Sequence, residues 1–268
     1  MMSDLMDYQG AFERIGFRRE DGILEIRLHT DGGPFVFDEK THHEFGAAFQ
    51  AVAQDPDNRV VILTGSGERF CADFDYASFQ AARRVDPERY WIRIRNDGLR
   101  MVTAFLDIPV PVISAINGPA VSHSELPLLA DVVLAADTTV FQDATHFIAG
   151  VPPGDGMHVV WTTLLGLNRG RYFLMTGQRL SAPAALQAGV VGEVLPREEL
   201  LPRAWAIARQ WAAHRQLNLL GTRAILTAEW KRRMADDLQM GLSHEFLADV
   251  SRPMHAPATP VIDLLAAR

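Results

Sequence analysis

The chain has 268 residues, 48% of them apolar and 22% charged, the balance of an ordinary globular domain. Its formal charge of −7 argues against nucleic acid or an anionic membrane as the main partner, and no apolar run has the length needed to span a bilayer. The single cysteine, Cys71, excludes an internal disulfide framework, and the N-terminal MMSDLMDYQG lacks the basic and apolar regions of a secretory signal, so a cytoplasmic protein is expected. In chain order, ILEIRLH (23–29) alternates, with Leu24, Ile26 and Leu28 on one face, and predicts a half-buried strand. Residues 39–54 carry Phe45, Ala48, Phe49 and Val52 at helical spacing. RVVILTG (59–65) is a short β-branched run of the kind found in buried parallel strands. A long helix is predicted over 87–107, stopped near Asp107 because Pro109 and Pro111 follow. VPVISAING (110–118) and VVLAAD (132–137) are two more apolar strands. From about residue 158 helices dominate, at 158–166, 168–177, 181–188, 200–213 and 217–250, and the Pro/Ala-rich tail 252–268 reads as an arm or a partly ordered segment.

The common catalytic signatures are absent: there is no G-x-S-x-G elbow, Walker A loop, G-x-G-x-x-G after a strand, or H-E-x-x-H. His42 and His43 are adjacent on a helix, so they diverge and cannot form one metal site together; solvated positions are expected for both. Two loops remain, 67–79 after the strand 59–65 and 117–156 after the strand 110–118. Loops at the C-terminal ends of parallel strands are where α/β proteins place their sites. If 121–130 is a helix, its first-turn N–H groups could hold an oxyanion, as could those around Ala72. HFIAGVPPGDGMHVVW (146–161) sets Asp155 between two glycines, nine residues after His146. Asp155 either caps a helix starting near 158 or does chemistry. Each candidate also has a purely structural explanation. His146 can be a satisfied core histidine, His123 can bond loop backbone, and Glu125 can complement a helix dipole. Asp73 suits loop structuring, Glu245 a solvated helix face, and Cys71 a structural position.

Four segments, VVILTGSGERFCADFDYASF, IPVPVISAINGPAVSHSELPLLADVVLAAD, FQDATHFIAGVPPGDG and LMTGQRLSAPAALQAGVVGEVLP, occur in this order over roughly residues 20–200. They resemble the crotonase, or enoyl-CoA hydratase/isomerase, superfamily. The resemblance implies an α/β fold with a crotonase-type β-β-α spiral core over 1–200, a helical C-terminal trimerisation region over 201–268, and assembly as a homotrimer or hexamer. The departures are specific. Members that bind CoA thioesters usually read A-G-A-D where this chain has Ala72-Asp73-Phe74-Asp75. The second oxyanion glycine of a G-G-G run falls on Ser122, beside His123. Of the two glutamates that hydratases use to handle water, the first matches Glu125 and the second matches His146. The P-G-A-G turn reads PGDG, so Asp155 stands in place of an alanine. These changes would crowd a thioester site.

The patterns N-G-P-x-x-x-H-x-E-x-P and F-Q-D-x-x-H-F-x-x-G-x-x-P-G-D-G-x-H-V-V-W are similar to one branch, that of 6-oxocamphor hydrolase and related β-diketone hydrolases. That branch cleaves the C–C bond between two carbonyls in a retro-Claisen reaction. The resemblance therefore implies hydrolysis of a cyclic or bicyclic β-diketone, a small-molecule partner, to a keto acid, with no cofactor and no metal. Water addition needs a base near working pH and a carboxylate to fix its tautomer, roles that suit His146 and Asp155. The enolate oxygen needs a donor, which suits His123. Expected substrate-facing residues are Phe37 (where the camphor enzyme carries a tryptophan), Ala72, Phe74, Ser122, Glu125 and Glu245, the last in a His244-Glu245 pair that the branch shares. Two other functions stay open: a CoA hydratase or thioester hydrolase with an altered site, and a non-catalytic crotonase-fold binding protein.

Overall fold

The computed structural model describes residues 4–251 and the strand pair Ile262–Asp263. Helix α1 (Leu5–Tyr8) precedes a hairpin of β1 (Ile15–Glu20) and β2 (Ile23–Leu28). Its turn residues Asp21 and Gly22 have φ of 51° and 78°, the left-handed pair that a two-residue hairpin of the right twist demands. There follow β3 (Val36–Phe37), α2 (Glu39–Gln54), β4 (Val60–Gly65), β5 (Asp73–Phe74), α3 (Tyr76–Val85), α4 (Pro87–Leu106) and β6 (Val112–Ile116). The second half holds α5 (Glu125–Leu128), β7 (Val132–Ala136), β8 (Val140–Phe141), α6 (Met157–Leu165), α7 (Leu167–Thr176), β9 (Leu180–Ser181), α8 (Ala182–Gln187), β10 (Glu193–Leu195), α9 (Arg197–Ala212), α10 (Gln216–Val250) and β11 (Ile262–Asp263). A 3-10 turn at Phe147–Ala149 interrupts the loop before α6.

Six strands form the main sheet in the order β1-β2-β4-β6-β7-β10, antiparallel at β1–β2 and parallel elsewhere. All six residues of β4 are buried, as expected of a strand covered on both faces. On one face Leu24, Ile26, Val61, Leu63 and Val112 pack with Phe45, Phe49, Met101 and Phe105 of α2 and α4. On the other, Ile23, Val60, Ile62, Ile113 and Leu134 meet Leu200, Ala204, Trp205 and Ile207 of α9. Successive sheet residues thus feed two apolar layers, which is why β4, β6 and β7 read as unbroken apolar runs, and β2, expected to be half-buried from its alternation, is buried on both faces.

What positions the site is the clamping of the two loops that leave β4 and β6. Asn117 accepts the Gly65 N–H at 3.0 Å and donates to the Gly67 carbonyl at 3.0 Å. A Cβ on Gly118 would lie 1.9 Å from the Glu68 carbonyl oxygen, so only glycine lets the loops come this close. Bridges Cys71–Ala120 and Ala120–Phe141 complete the seam. The helix entertained over 121–130 is only α5, and His123 before it adopts φ 45°. The tail expected as an arm lies outside the described residues apart from Ile262–Asp263, which pairs antiparallel with β5. No described helix is long and apolar enough to cross a membrane.

Candidate functional site

The PGDG turn meets α10 backbone to backbone. A Cβ on Gly154 would sit 2.1 Å from the Gly241 carbonyl oxygen, and one on Gly241 would sit 2.3 Å from the Gly154 oxygen. Both positions therefore require glycine. The contact delivers Glu245, one helical turn beyond Gly241, to 3.9 Å from His146 Nε2. It also fixes Asp155, whose two oxygens do different things. Oδ1 accepts the Met157 N–H at 3.2 Å, at the start of α6. Oδ2 lies 3.2 Å from His123 Nδ1 and 3.4 Å from His146 Nε2.

The carboxylate on the other nitrogen of His146 is Asp143, not Asp155: Nδ1 lies 2.7 Å from Asp143 Oδ1. A carboxylate only accepts, so the imidazole donates from Nδ1 and turns Nε2 toward Asp155. Asp143 stands three residues before His146 in FQDATH, and that spacing is the signal that could have revealed it. Burial opposes charge on His146, but Asp143 and Asp155 outweigh it and hold the imidazole well above its ordinary value. For Asp155, burial favours the neutral acid, but His146, His123 and the Met157 N–H prevail and keep it far below the usual carboxylate range.

His123 is buried and left-handed at φ 45°, an uncommon conformation for a side-chain-bearing residue and one that clusters at functional sites. Its Nδ1 lies 2.9 Å from Glu125 Oε1, and its ring stacks on Phe37 with centroids 4.1 Å apart. Burial lowers its affinity for a proton; Glu125 and Asp155 more than restore it. Glu125 is fully buried, and burial together with the Asp155 charge pushes it up to about 7 despite His123. His123 Nδ1, the Glu125 carboxylate and the Asp155 carboxylate have donor atoms within 4.8 Å of one another, a set that could ligate a cation.

A cavity of about 230 Å³ opens beside these groups. Phe37, Phe74, Phe79, Trp91, Leu242 and Phe246 supply apolar wall, and His42, His123, His146, Asp155 and Glu245 form a polar end. Of the residues expected to face substrate, Phe37, Phe74 and Glu245 line the cavity. Ala72, Ser122 and Glu125 do not; they are buried behind it. The Ser122 N–H donates to the Cys71 carbonyl at 3.2 Å, so the donor that would serve a thioester oxyanion is engaged within the protein. Asp73 pairs with Arg69 at 2.7 Å, the loop-structuring role expected of it. His244 is exposed and bonded to the Met240 carbonyl, away from the cavity. Burial pushes the Cys71 thiol up, as suits a structural cysteine.

His42 overturns the expectation of a solvated position: it is 7% exposed and lines the cavity. It falls on the same helical stripe as Phe45, Phe49 and Val52, and that stripe turns inward. Its Nδ1 is buried without a hydrogen-bond partner among the described residues. Burial, with the nearby His123, brings its pKa down to about 3, so it is a neutral imidazole facing the cavity. His43, the next residue, instead faces outward, half exposed, at 2.9 Å from Asp97.

Residues 18–249 match the model of the enoyl-CoA hydratase/isomerase family. A β-diketone hydrolase from the cyanobacterium Anabaena sp. PCC 7120, solved bound to (S)-3-oxocyclohexyl acetic acid, superposes with a TM-score of 0.87 at 45% identity, over 92% of this chain and 98% of that one. An enoyl-CoA hydratase/isomerase from Mycobacterium paratuberculosis shares the fold at a TM-score of 0.83 and 23% identity, over 90% of this chain and 95% of its own. The carnitinyl-CoA dehydratase of Proteus mirabilis is 33% identical over 180 residues, 66% of each chain, so the match spans just under two thirds of that relative. The chain belongs to the enoyl-CoA hydratase/isomerase family, the crotonase superfamily, and resembles its β-diketone hydrolases.

Proposed function

We propose that the protein hydrolyses the C–C bond between the carbonyls of a cyclic β-diketone, by a retro-Claisen reaction, to a keto acid. The observation that carries this is the Asp143–His146 pair, whose Nε2 is turned into an aromatic-walled cavity beside Asp155 and His123. Neutral His146 takes a proton from water at Nε2 as the water oxygen adds to one carbonyl carbon. The tetrahedral intermediate then breaks the C–C bond. The acyl side becomes a carboxylic acid, and the electron pair forms an enolate whose oxygen accepts a hydrogen bond from His123. The His146 imidazolium returns its proton to the enolate carbon, so the site ends as it began. The raised basicity of His146 makes its neutral form a stronger base while thinning its population. Neutral His42 offers the attacked carbonyl a donor without adding charge. The second carbonyl makes the leaving carbanion an enolate, so the residues present suffice for every step.

The CoA reading has its own support in the 33% identity to a carnitinyl-CoA dehydratase. Against it stand the engaged Ser122 N–H and the His146 and Asp155 side chains at the position where water would be handled. The deciding experiment is cleavage of a panel of cyclic and bicyclic 1,3-diketones in ¹⁸O-water, followed by loss of ultraviolet absorbance. One label per turnover is expected in the new carboxylate, with no covalent intermediate; a trapped acyl-enzyme or inactivity over the whole panel would defeat the proposal.

A further inference from the structure

Two buried carboxylates share one imidazole nitrogen at the polar end of the cavity. His123 Nδ1 is 2.9 Å from Glu125 Oε1 and 3.2 Å from Asp155 Oδ2. One N–H cannot satisfy both acceptors well. Asp155 Oδ2 also has His146 Nε2 at 3.4 Å, but Glu125 Oε2 is buried with no hydrogen-bond partner among the described residues. Glu125 is fully buried and Asp155 is 3% exposed, so water does not make up the deficit freely.

A borderline divalent cation answers this arrangement. Tetrahedral zinc with bonds of about 2.0–2.2 Å keeps its ligand atoms about 3.3–3.6 Å apart. The three donor atoms here lie within 4.8 Å of one another, with His123 Nδ1 already 2.9 and 3.2 Å from the two oxygens. The imidazole nitrogen is thus already placed for an ion; the two carboxylate oxygens, up to 4.8 Å apart, would close toward about 3.5 Å on binding. Imidazole nitrogen and carboxylate oxygen are both ordinary zinc ligands, and three protein ligands leave a fourth position open. His123 and Asp155 line the cavity, so that position faces it.

We propose that His123, Glu125 and Asp155 bind Zn²⁺ at the position of the His123 Nδ1 proton, and that the bound ion inhibits the enzyme. Only the inhibitory half rests on the hydrolase function proposed above. On binding, the Nδ1 proton leaves to solvent and zinc takes its place. The ion then holds the imidazole that would serve the enolate and the carboxylate that faces His146, so the site is blocked rather than activated.

The test uses the whole protein, stripped with EDTA and dialysed. Co²⁺ is titrated for its visible d–d band, and Zn²⁺ is followed by calorimetry and by displacement of Co²⁺. One ion per chain is expected. Loss of a second-shell partner alone weakens metal affinity about 10–100-fold, so Asp155→Asn and Glu125→Gln should each weaken binding at least that much. His244→Gln, altered outside the cavity, should bind as the wild type does. Circular dichroism checks that each variant is folded. No band and no heat with the wild type would overturn the site, as would unchanged affinity in both carboxylate variants. In the diketone assay, Zn²⁺ should inhibit at the concentration that fills the site, and EDTA should restore the rate. Stoichiometric binding with unaltered turnover, or turnover that requires zinc, would overturn the inhibition. A protein that binds zinc as described but cleaves no diketone in metal-free buffer would defeat the hydrolase function and leave the metal site standing.

Discussion

His42 should make the protein acid-labile in a way that one substitution abolishes. Its pKa is about 3 in the fold, against about 6.5 for an unperturbed imidazole. The folded value is the lower one, so the stability linked to His42 is complete above about pH 6.5 and is lost as pH falls toward 3. At pH 5 the unfolded chain gains from a proton that the folded chain refuses by about 1.5 pK units, or about 2 kcal/mol, a factor of about 30 in the folding equilibrium. At pH 7 the same linkage is about 0.2 kcal/mol. His42→Phe places a non-titrating ring among Phe37 and Phe79, which already lie about a ring's contact away from it. Urea unfolding at a fixed protein concentration, at pH 7 and pH 5, yields a drop for each protein. The wild-type drop should exceed that of His42→Phe by about 2 kcal/mol whatever the other groups contribute, since those are common to both. Equal drops would mean that His42 charges freely in the fold, and the neutral imidazole facing the cavity would have to be abandoned.

Three further outcomes are expected. His146→Ala should slow diketone cleavage about 10²–10⁴-fold, the usual worth of a positioned base, and Asp143→Asn should lose a comparable factor by releasing the Nδ1 tautomer; an Asp143→Asn enzyme at full rate would remove Asp143 from the machinery. Calorimetry with acetyl-CoA and crotonyl-CoA should detect no tight binding, because the Ser122 N–H is engaged by Cys71; micromolar affinity would restore the thioester reading. Leu217, Ile225, Leu226 and Leu247 of α10 and Leu167, Tyr172 and Met175 of α7 are exposed in the single chain, more apolar side chain than an isolated domain usually shows; sedimentation should give a trimer or hexamer, and a monomer at micromolar concentration would contradict this.

The long elements were legible because their core stripes are regular. α2 spans the predicted 39–54, and α4 ends one residue before the predicted 107. α10 begins at Gln216, one residue before its predicted start. α3 was not read. None of its residues is fully buried: Tyr76 and Phe79, its only aromatic residues, are shared between the cavity wall and the edge of the core, too few to mark a helix in the sequence. Its start was nevertheless written locally: Asp75 accepts the Ser78 N–H as an N-cap. β3, β5, β8 and β9 are two residues each, too short for any alternation to register. Within the site, the pairing of His42 with His43 hides the stripe that His42 shares with Phe45, Phe49 and Val52. Asp143 was missed because an acid in a strand-end loop has many uses, and its three-residue spacing from His146 becomes a pairing only once the loop folds its oxygen to 2.7 Å from the imidazole.

Asp155 is not the N-cap of α6: that position is Gly156, which makes no side-chain cap bond, and Asp155 one residue earlier makes an Asx-type turn to the Met157 N–H, a local role compatible with chemistry. One oxygen accepts from Met157 at the start of α6, and the other faces two imidazoles. The first contact holds the second in place: a carboxylate fixed at a helix start between two glycines has little freedom to turn away from His123 and His146. Asp155→Asn separates the two. Asparagine makes the same Asx-type turn as aspartate, so its oxygen can keep the Met157 N–H and α6 should survive, with an unchanged circular dichroism spectrum. Its amide group would then face the histidines, a donor where they present N–H groups, and the charge that holds His146 protonatable at Nε2 would be gone. Turnover should therefore fall by about 10²–10⁴ in a protein that still folds. A folded Asp155→Asn enzyme with full activity would reduce Asp155 to a turn-forming residue, whereas loss of α6 would show that the charge, not the hydrogen bond, is what starts the helix.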